Sequence, residues 1–358
     1  MMASDGHLMG APRTWAAIGC SAWLGLAGVL GCATGGIPLG ELPEQPIAVV
    51  YWEAGDARRR AEILAEEKES KEGPRREGVA HLEHLGALVG IEEGAGQKQL
   101  ARFPGFLALV NPRTAQVERV RAAPPGSRPL AWSSDGRRLM FVSTHTADRA
   151  HLFEYDLHTQ EVSRLTDGPE VHLAGDYGPD GRIVYFAVLR RGSGMRSRLY
   201  ATAAGGRRGE VIAEGLQTDA LAWSRQGGPL VFVQYRRVGS GRATKPILQA
   251  RHIEPSAPLK RLGPGRDPVM TRDGVWVVYS APVGDSWRLR RMRLDGSGRT
   301  AIGQGVEAEL DPAVSPDGRF VAYVSHRDGE PDNLFVRRFD GTGDRVLLGT
   351  GAVAAPVW

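Results

Sequence analysis

Three aspartates, Asp219, Asp267 and Asp311, fall at or next to the same place in a pattern that repeats along this chain, just before the first strand of a repeating unit. Carboxylates gathered around one opening have two uses: they can hold a hard cation through oxygen ligands, or receive a basic group of a partner. The plainer alternative is that each caps the start of its strand and faces water. Other chemistry finds little support in the residues. His81 and His84 lie three apart without a His-Glu-x-x-His frame. His145, His151, His158, His172, His252 and His326 are scattered and read as surface-loop residues. No Gly-x-Ser-x-Gly nucleophile elbow occurs. Both cysteines, Cys20 and Cys32, lie in the leader, so a cysteine-type zinc site and a disulfide framework are not expected. The expectation is a protein with no catalytic residue, metal or cofactor.

The elements that position the aspartates are strands. Asp135-Gly136, Asp180-Gly181, Gln226-Gly227, Asp273-Gly274 and Asp317-Gly318 mark one turn per unit, at steps of 45, 46, 47 and 44 residues. Glycine takes the positive φ that such a turn demands, and the aspartate satisfies turn amides. The run after each turn is short and apolar: Leu139 to Val142, Ile183 to Val188, Leu230 to Val233, Val275 to Tyr279 and Phe320 to Val324. Apolar runs of that length predict strands buried on both faces. The last unit shows all four strands, at Asp311 to Ser315, Phe320 to Val324, Asn333 to Arg337 and Arg345 to Leu348. A period of this size with four strands per unit is the signature of propeller blades.

A bulky column precedes the turns: Trp132, Tyr177, Trp223, Met270 and Val314, and one further step reaches Trp358. The column is expected to be inter-blade core rather than a ligand stack. Ala354 to Trp358 therefore reads as the inner strand of a further blade. Its outer strands are supplied from upstream, by Phe106 to Val110 and Gln116 to Val120. Its second strand comes either from Ile47 to Trp52 or from Leu85 to Ile91. Five whole blades and one composite blade make an all-β, six-bladed propeller closed by the C-terminal strand, which leaves no sheet edge to aggregate.

The chain has 358 residues, 47 glycines and 23 prolines, and a formal net charge of +4 carried almost entirely by arginine. No basic run is interleaved with aromatics, so nucleic acid is not an expected partner. Residues 1–31 read as a signal peptide, with an uncharged apolar stretch from Trp15 to Leu30. Residues 32–101 read as a linker and N-terminal extension, with 33–46 the Gly- and Pro-rich linker and one helix over Asp56 to Glu72, capped by Asp56 and stopped by Gly73-Pro74. Residues 102–358 form the propeller. The loops after the second strands vary most, and Arg236 to Arg242 is the longest basic one, a natural place for binding.

Ser315-Pro316-Asp317-Gly318 with Phe320 to Ser325, and Trp132 to Gly136 with Phe141 to Ser143, resemble the repeat of TolB-like propellers, a PD40 or WD40-like repeat. Gly31-Cys32 resembles the lipobox of bacterial lipoproteins, with Val29 where leucine is usual. These resemblances imply a protein lipidated at Cys32, exported to the periplasm and anchored to the outer membrane. They imply an interaction platform without catalysis, acting as a monomer or within a multiprotein complex on an envelope protein partner. Asp219, Asp267 and Asp311 at the channel mouth are its candidate contacts. Six-bladed propellers also include hydrolases and lactonases with a metal at the channel mouth, and a peptidoglycan- or carbohydrate-binding module is a further alternative.

Overall fold

The computed structural model describes residues 36–70, 104–143, 149–191, 194–203, 209–216, 218, 220–237, 244–254, 256–305, 307–327 and 330–358. The middle strand of each sheet shows why a ring forms. Along Phe320–His326, Phe320, Ala322 and Val324 enter one apolar cluster, while Val321 and Tyr323 enter another. The same alternation divides Leu139 and Phe141 from Met140 and Val142, and Leu230 and Phe232 from Val231 and Val233. Successive side chains of a strand point to opposite faces, so a continuous apolar run must be covered on both sides. Each sheet is thus packed between two others.

The strands form six four-stranded antiparallel sheets. Blade 1 uses β1 (Ile47–Trp52), β2 (Phe106–Val110) and β3 (Val117–Arg119), with α1 (Ala54–Ser70) following β1. Blade 2 is β4 (Arg128–Trp132), β5 (Arg138–Ser143), β6 (His151–Asp156) and β7 (Val162–Arg164). Blade 3 is β8 (Val171–Tyr177), β9 (Ile183–Arg191), β10 (Gly194–Thr202) and β11 (Gly209–Glu214). Blade 4 is β12 (Leu221–Ala222), β13 (Leu230–Arg237), β14 (Thr244–Arg251) and β15 (Lys260–Pro264). Blade 5 is β16 (Arg266–Met270), β17 (Trp276–Val283), β18 (Ser286–Arg293) and β19 (Thr300–Ala301). Blade 6 is β20 (Ala308–Val314), β21 (Phe320–His326), β22 (Asn333–Arg338) and β23 (Asp344–Leu348). β24 (Ala352–Val357) returns to blade 1 as its innermost strand, in the order β24-β1-β2-β3. The inner strands touch in a closed circuit, β24 to β4, β8, β12, β16, β20 and back to β24.

The composite blade is therefore built as the repeat requires, and its second strand is Ile47–Trp52. Tyr51 faces Val353 and Val50 faces Ala354 in the antiparallel register. The competing stretch, Leu85 to Ile91, lies outside the described residues, as does Cys32. The helix begins at Ala54, two residues before the expected cap, because the Ala57 amide already donates to the Glu53 carbonyl at 2.9 Å. Ala57, Ala61 and Ile63 are buried beneath it, and the Arg60 guanidinium lies 4.3 Å over the Trp52 ring. Residues 36–46 are no loose linker: Ile37 and Leu42 are wholly buried in the cluster between blades 6 and 1.

Three of the four Asp-Gly turns share one hydrogen-bond scheme, and the Asp180 copy, with Gly178 in place of the hydroxyl residue, lacks it. In blade 6 the Ser315 hydroxyl donates to Asp317 at 2.6 Å and accepts the Phe320 amide at 2.9 Å, while Asp317 accepts the Arg319 amide at 3.1 Å. Ser133 with Asp135 and Thr271 with Asp273 repeat it. Gly136, Gly274 and Gly318 have φ of 70°, 71° and 72°. Hydrogen bonds from Ser133 and from the Arg137 amide hold the Asp135 carboxyl below the ordinary carboxylate range. Each bulky residue of the column joins a different inter-blade cluster, Trp132, Tyr177, Trp223, Val314 and Trp358 as buried members and Met270 at the edge.

Polar groups mark particular seams. Between blades 5 and 6, Arg337 donates to Glu309 at 2.6 Å, to the Tyr323 hydroxyl at 2.9 Å and to Asp344 at 2.7 Å. Glu309 also accepts the Leu289 amide at 3.1 Å, so the buried ion pair is satisfied from both blades. Between blades 2 and 3, the His151 and His172 rings lie 5.0 Å apart, both buried, their Nδ1 atoms without a partner among the described residues. These two are seam residues, not the surface-loop histidines expected. Burial, and after it the neighbouring His151, push the His172 pKa down to about 4.

Two outcomes follow. Trp358→Ala, which opens a cavity at the closing seam and removes the bond from Trp358 Nε1 to the Gln45 carbonyl, is expected to cost about 3–5 kcal/mol of stability in urea unfolding. A histidine that is neutral in the fold and titrates normally when unfolded stabilises fully above about pH 6.5, and that contribution is lost as pH falls toward 4. His172→Phe is expected to flatten this acid limb, by up to about 1.4 kcal/mol per pH unit, in melting curves recorded from pH 7 to 4.

Candidate functional site at the channel mouth

The inner strands leave a central channel with a cavity of about 190 Å³. Their main chain shapes its wall. β16 and β20 each carry a bulge, between Arg266 and Val269 and between Leu310 and Ala313, and β24 shifts register against β1 in the same region. At these bulges Asp267, Asp311 and Ala355 sit in the left-handed region, with φ of 50°, 48° and 49°, and each precedes a proline. Positive φ is uncommon for a residue with a Cβ, and aspartate tolerates it better than most. The fold thus confines three non-glycine residues to strained backbone around half of the ring.

Asp267 and Asp311 lie within their inner strands rather than just before them, and both line the channel. Asp311 Oδ2 accepts the Ala355 amide at 3.2 Å, reaching the equivalent residue of the next blade. Asp267 pairs with Arg266 at 2.8 Å. An ionised carboxylate offers about four acceptor sites, so the Ala355 contact alone does not saturate Asp311. Asp219 lies outside the described residues.

Three channel residues were not singled out from the sequence: Asp176, Arg225 and Arg272. Asp176 accepts the Trp223 amide at 2.7 Å and pairs with Arg225 at 2.9 Å. Burial pushes the Asp176 carboxyl up, against the pull of Arg225 and of the Trp223 and Tyr177 amides. Arg225 also donates to the carbonyls of Tyr177 and, at 2.6 Å, Trp132, so one guanidinium ties blades 2, 3 and 4 at the channel. Arg272 is exposed and donates to the Ser134 carbonyl at 2.5 Å. Ser134 belongs to blade 2 and Arg272 to blade 5, which face each other across a six-bladed ring, so this bond crosses the mouth at the turn end.

A signal for the arginines existed. Both occupy the second position of the repeated turn, where the other copies have Ser134, Pro179 and Pro316. The copy with Arg225 is also the one with Gln226 in place of aspartate. Chemically, the channel offers carboxylates in its wall beneath a mouth braced by guanidinium-to-carbonyl bonds. Such an arrangement suits recognition of a charged group. Among the described residues no three His, Cys, Asp or Glu side chains converge so as to hold a metal ion.

No protein-family model matches the chain. Among curated proteins, the Tol-Pal system protein TolB of Francisella tularensis subsp. mediasiatica is 23% identical over 213 residues, covering 59% of this chain and 48% of that protein. The chain thus spans about half the length of that relative. An uncharacterized peptidase of Bacillus subtilis, YuxL, is 25% identical over 151 residues, covering 42% of this chain and 21% of its own. The crystal structure of TolB from Acinetobacter baumannii superposes with a TM-score of 0.60 at 16% identity, over 89% of this chain and 68% of that one. The shared turn chemistry, the closed circuit of six blades and these likenesses agree with one another: the chain is a TolB-like six-bladed β-propeller.

Proposed function

We propose that the protein is an exported envelope lipoprotein whose propeller is a non-catalytic docking platform for another envelope protein. The observation that carries the reading is the channel mouth. Asp267 and Asp311 line a wall held rigid by inter-blade bonds, and the exposed Arg272 bars the opening with a single side-chain contact. A partner that presents a basic group displaces the Arg272 contact and gains charge-assisted hydrogen bonds from the wall carboxylates. The rigid scaffold limits the ordering cost of that encounter. The TolB names of the relatives favour a protein partner in the envelope over a small substrate. Lipidation at Cys32 would hold the ring at the outer membrane and raise its effective concentration there.

Photo-crosslinking in the native envelope tests the platform. A crosslinker near Asp311 is expected to capture one protein, and Asp267→Asn with Asp311→Asn to reduce the yield at least about tenfold, as expected for loss of roughly 1.5–3 kcal/mol of charged hydrogen bonding. Equal capture by the folded double variant contradicts the role of the wall. The anchor is tested separately. Cys32→Ser is expected to abolish incorporation of labelled fatty acid and to move the protein from the membrane to the soluble fraction.

A further inference from the structure

Residues 36–45 belong to none of the six sheets; their only regular element is a short 3-10 turn at Leu39–Glu41. Yet they are held closely over the seam of blades 6 and 1. Ile37 and Leu42, five residues apart, are wholly buried among Leu334, Val336 and Leu347 of blade 6 and Val110 of blade 1. The segment's carbonyls are taken one by one by side chains. Arg345 donates to Ile37 at 2.7 Å, Arg319 to Glu41 at 3.0 Å, Arg113 to Leu42 at 2.7 Å and Trp358 to Gln45 at 2.9 Å. Two acids add ion pairs, Glu41 with Arg338 at 2.8 Å and Glu44 with Arg113 at 2.6 Å.

This division of labour is how proteins read a bound peptide: hydrogen bonds to its main chain supply affinity and pockets for spaced side chains supply selectivity. Here the donors named from the ring are all side chains, while the segment gives main-chain acceptors, two apolar anchors and two carboxylates. We propose that residues 36–45 are a releasable clasp, a peptide ligand bound in cis. The groove they fill is a recognition site for an acidic segment of the form Ile-x4-Leu-x-Glu that makes the same turn between its anchors. One residue, Pro46, separates the clasp from β1, so its effective concentration is high and the groove is closed to outside peptides until the clasp lets go. Release uncovers the apolar floor of the seam that joins the first blade to the last. The clasp therefore couples occupancy of this groove to closure of the ring, independently of what the channel binds.

The test uses the full chain with Ile37→Asp and Leu42→Asp, which place charges in the two pockets and expel the clasp. The probe is a fluorescein-labelled peptide with the sequence of residues 36–45, followed by anisotropy. The released variant is expected to bind it at least about 100-fold more tightly than the wild-type chain, as cis competition predicts. A peptide carrying aspartate at both anchor positions is expected not to bind. A folded variant that ignores the peptide, or binds it no better than wild type does, overturns the proposal. So does a variant that fails to fold, since the clasp is then part of the obligatory core. Hydrogen exchange on Arg113→Ala with Arg338→Ala gives a second reading. Faster exchange confined to the clasp supports release, and an equal rise in the amides of β22 and β24 refutes it.

Discussion

A strand with two apolar faces cannot end a stack. Leu139, Phe141, Met140 and Val142 in one blade, or Phe320, Val321, Ala322 and Tyr323 in another, need a neighbour on each side. An open arc of such sheets leaves two uncovered faces, each exposing several large side chains at about 1.5–3 kcal/mol apiece. Closing the arc is the way to bury both. The rest of the architecture, the channel included, is a by-product of that demand, because six wedge-like sheets meeting in a circuit enclose a hole whose wall is the main chain of their inner strands.

Hydrophobic burial alone would not distinguish one seam from the next, since the clusters are chemically alike. The polar groups do. Arg337 with Glu309, which reaches the Leu289 amide, joins blade 6 to blade 5, Arg225 joins blades 2, 3 and 4, and the two buried histidines lie between blades 2 and 3. Each of these groups is costly if mispaired, so each penalises a wrong neighbour more than it stabilises the right one. The seam of blades 6 and 1, where β24 completes the ring by pairing non-covalently with β1, is marked most heavily, by Trp358, the clasp and four arginines.

Much of the ring was legible before any coordinates. The Asp-Gly turns gave the period because glycine is the residue that a positive φ selects, and the apolar runs between them could only be buried strands. Trp358 was legible because the bulky column continued one step past the last turn. The clasp was not. Ile37 and Leu42 follow neither a period of 2 nor one of 3.6, and the glycines and prolines around them have the composition of a linker. Ile47–Trp52 was ambiguous because an insertion of 53 residues separates it from β2, hiding the hairpin. Asp267 and Asp311 were read as preceding their inner strands, and their position within those strands depends on bulges, which periodicity does not reveal. Arg225 and Arg272 escaped notice because the turn was read for its glycine and aspartate and not for the residue between them.

The pairing of β1 with β24 has a consequence for biosynthesis. Val50 finds its partner, Ala354, only about 300 residues later in the chain, while every other sheet completes itself within one repeat. At about 5–20 residues per second, the earliest strand waits roughly 15–60 s for its mate to emerge from the ribosome. During that interval β1 can pair with β2 and the later blades can assemble in order, yet the β24-facing edge of an apolar hexamer stays open. The wait is set by topology rather than by slow chemistry, and an open strand edge of this kind is a template for pairing with another chain.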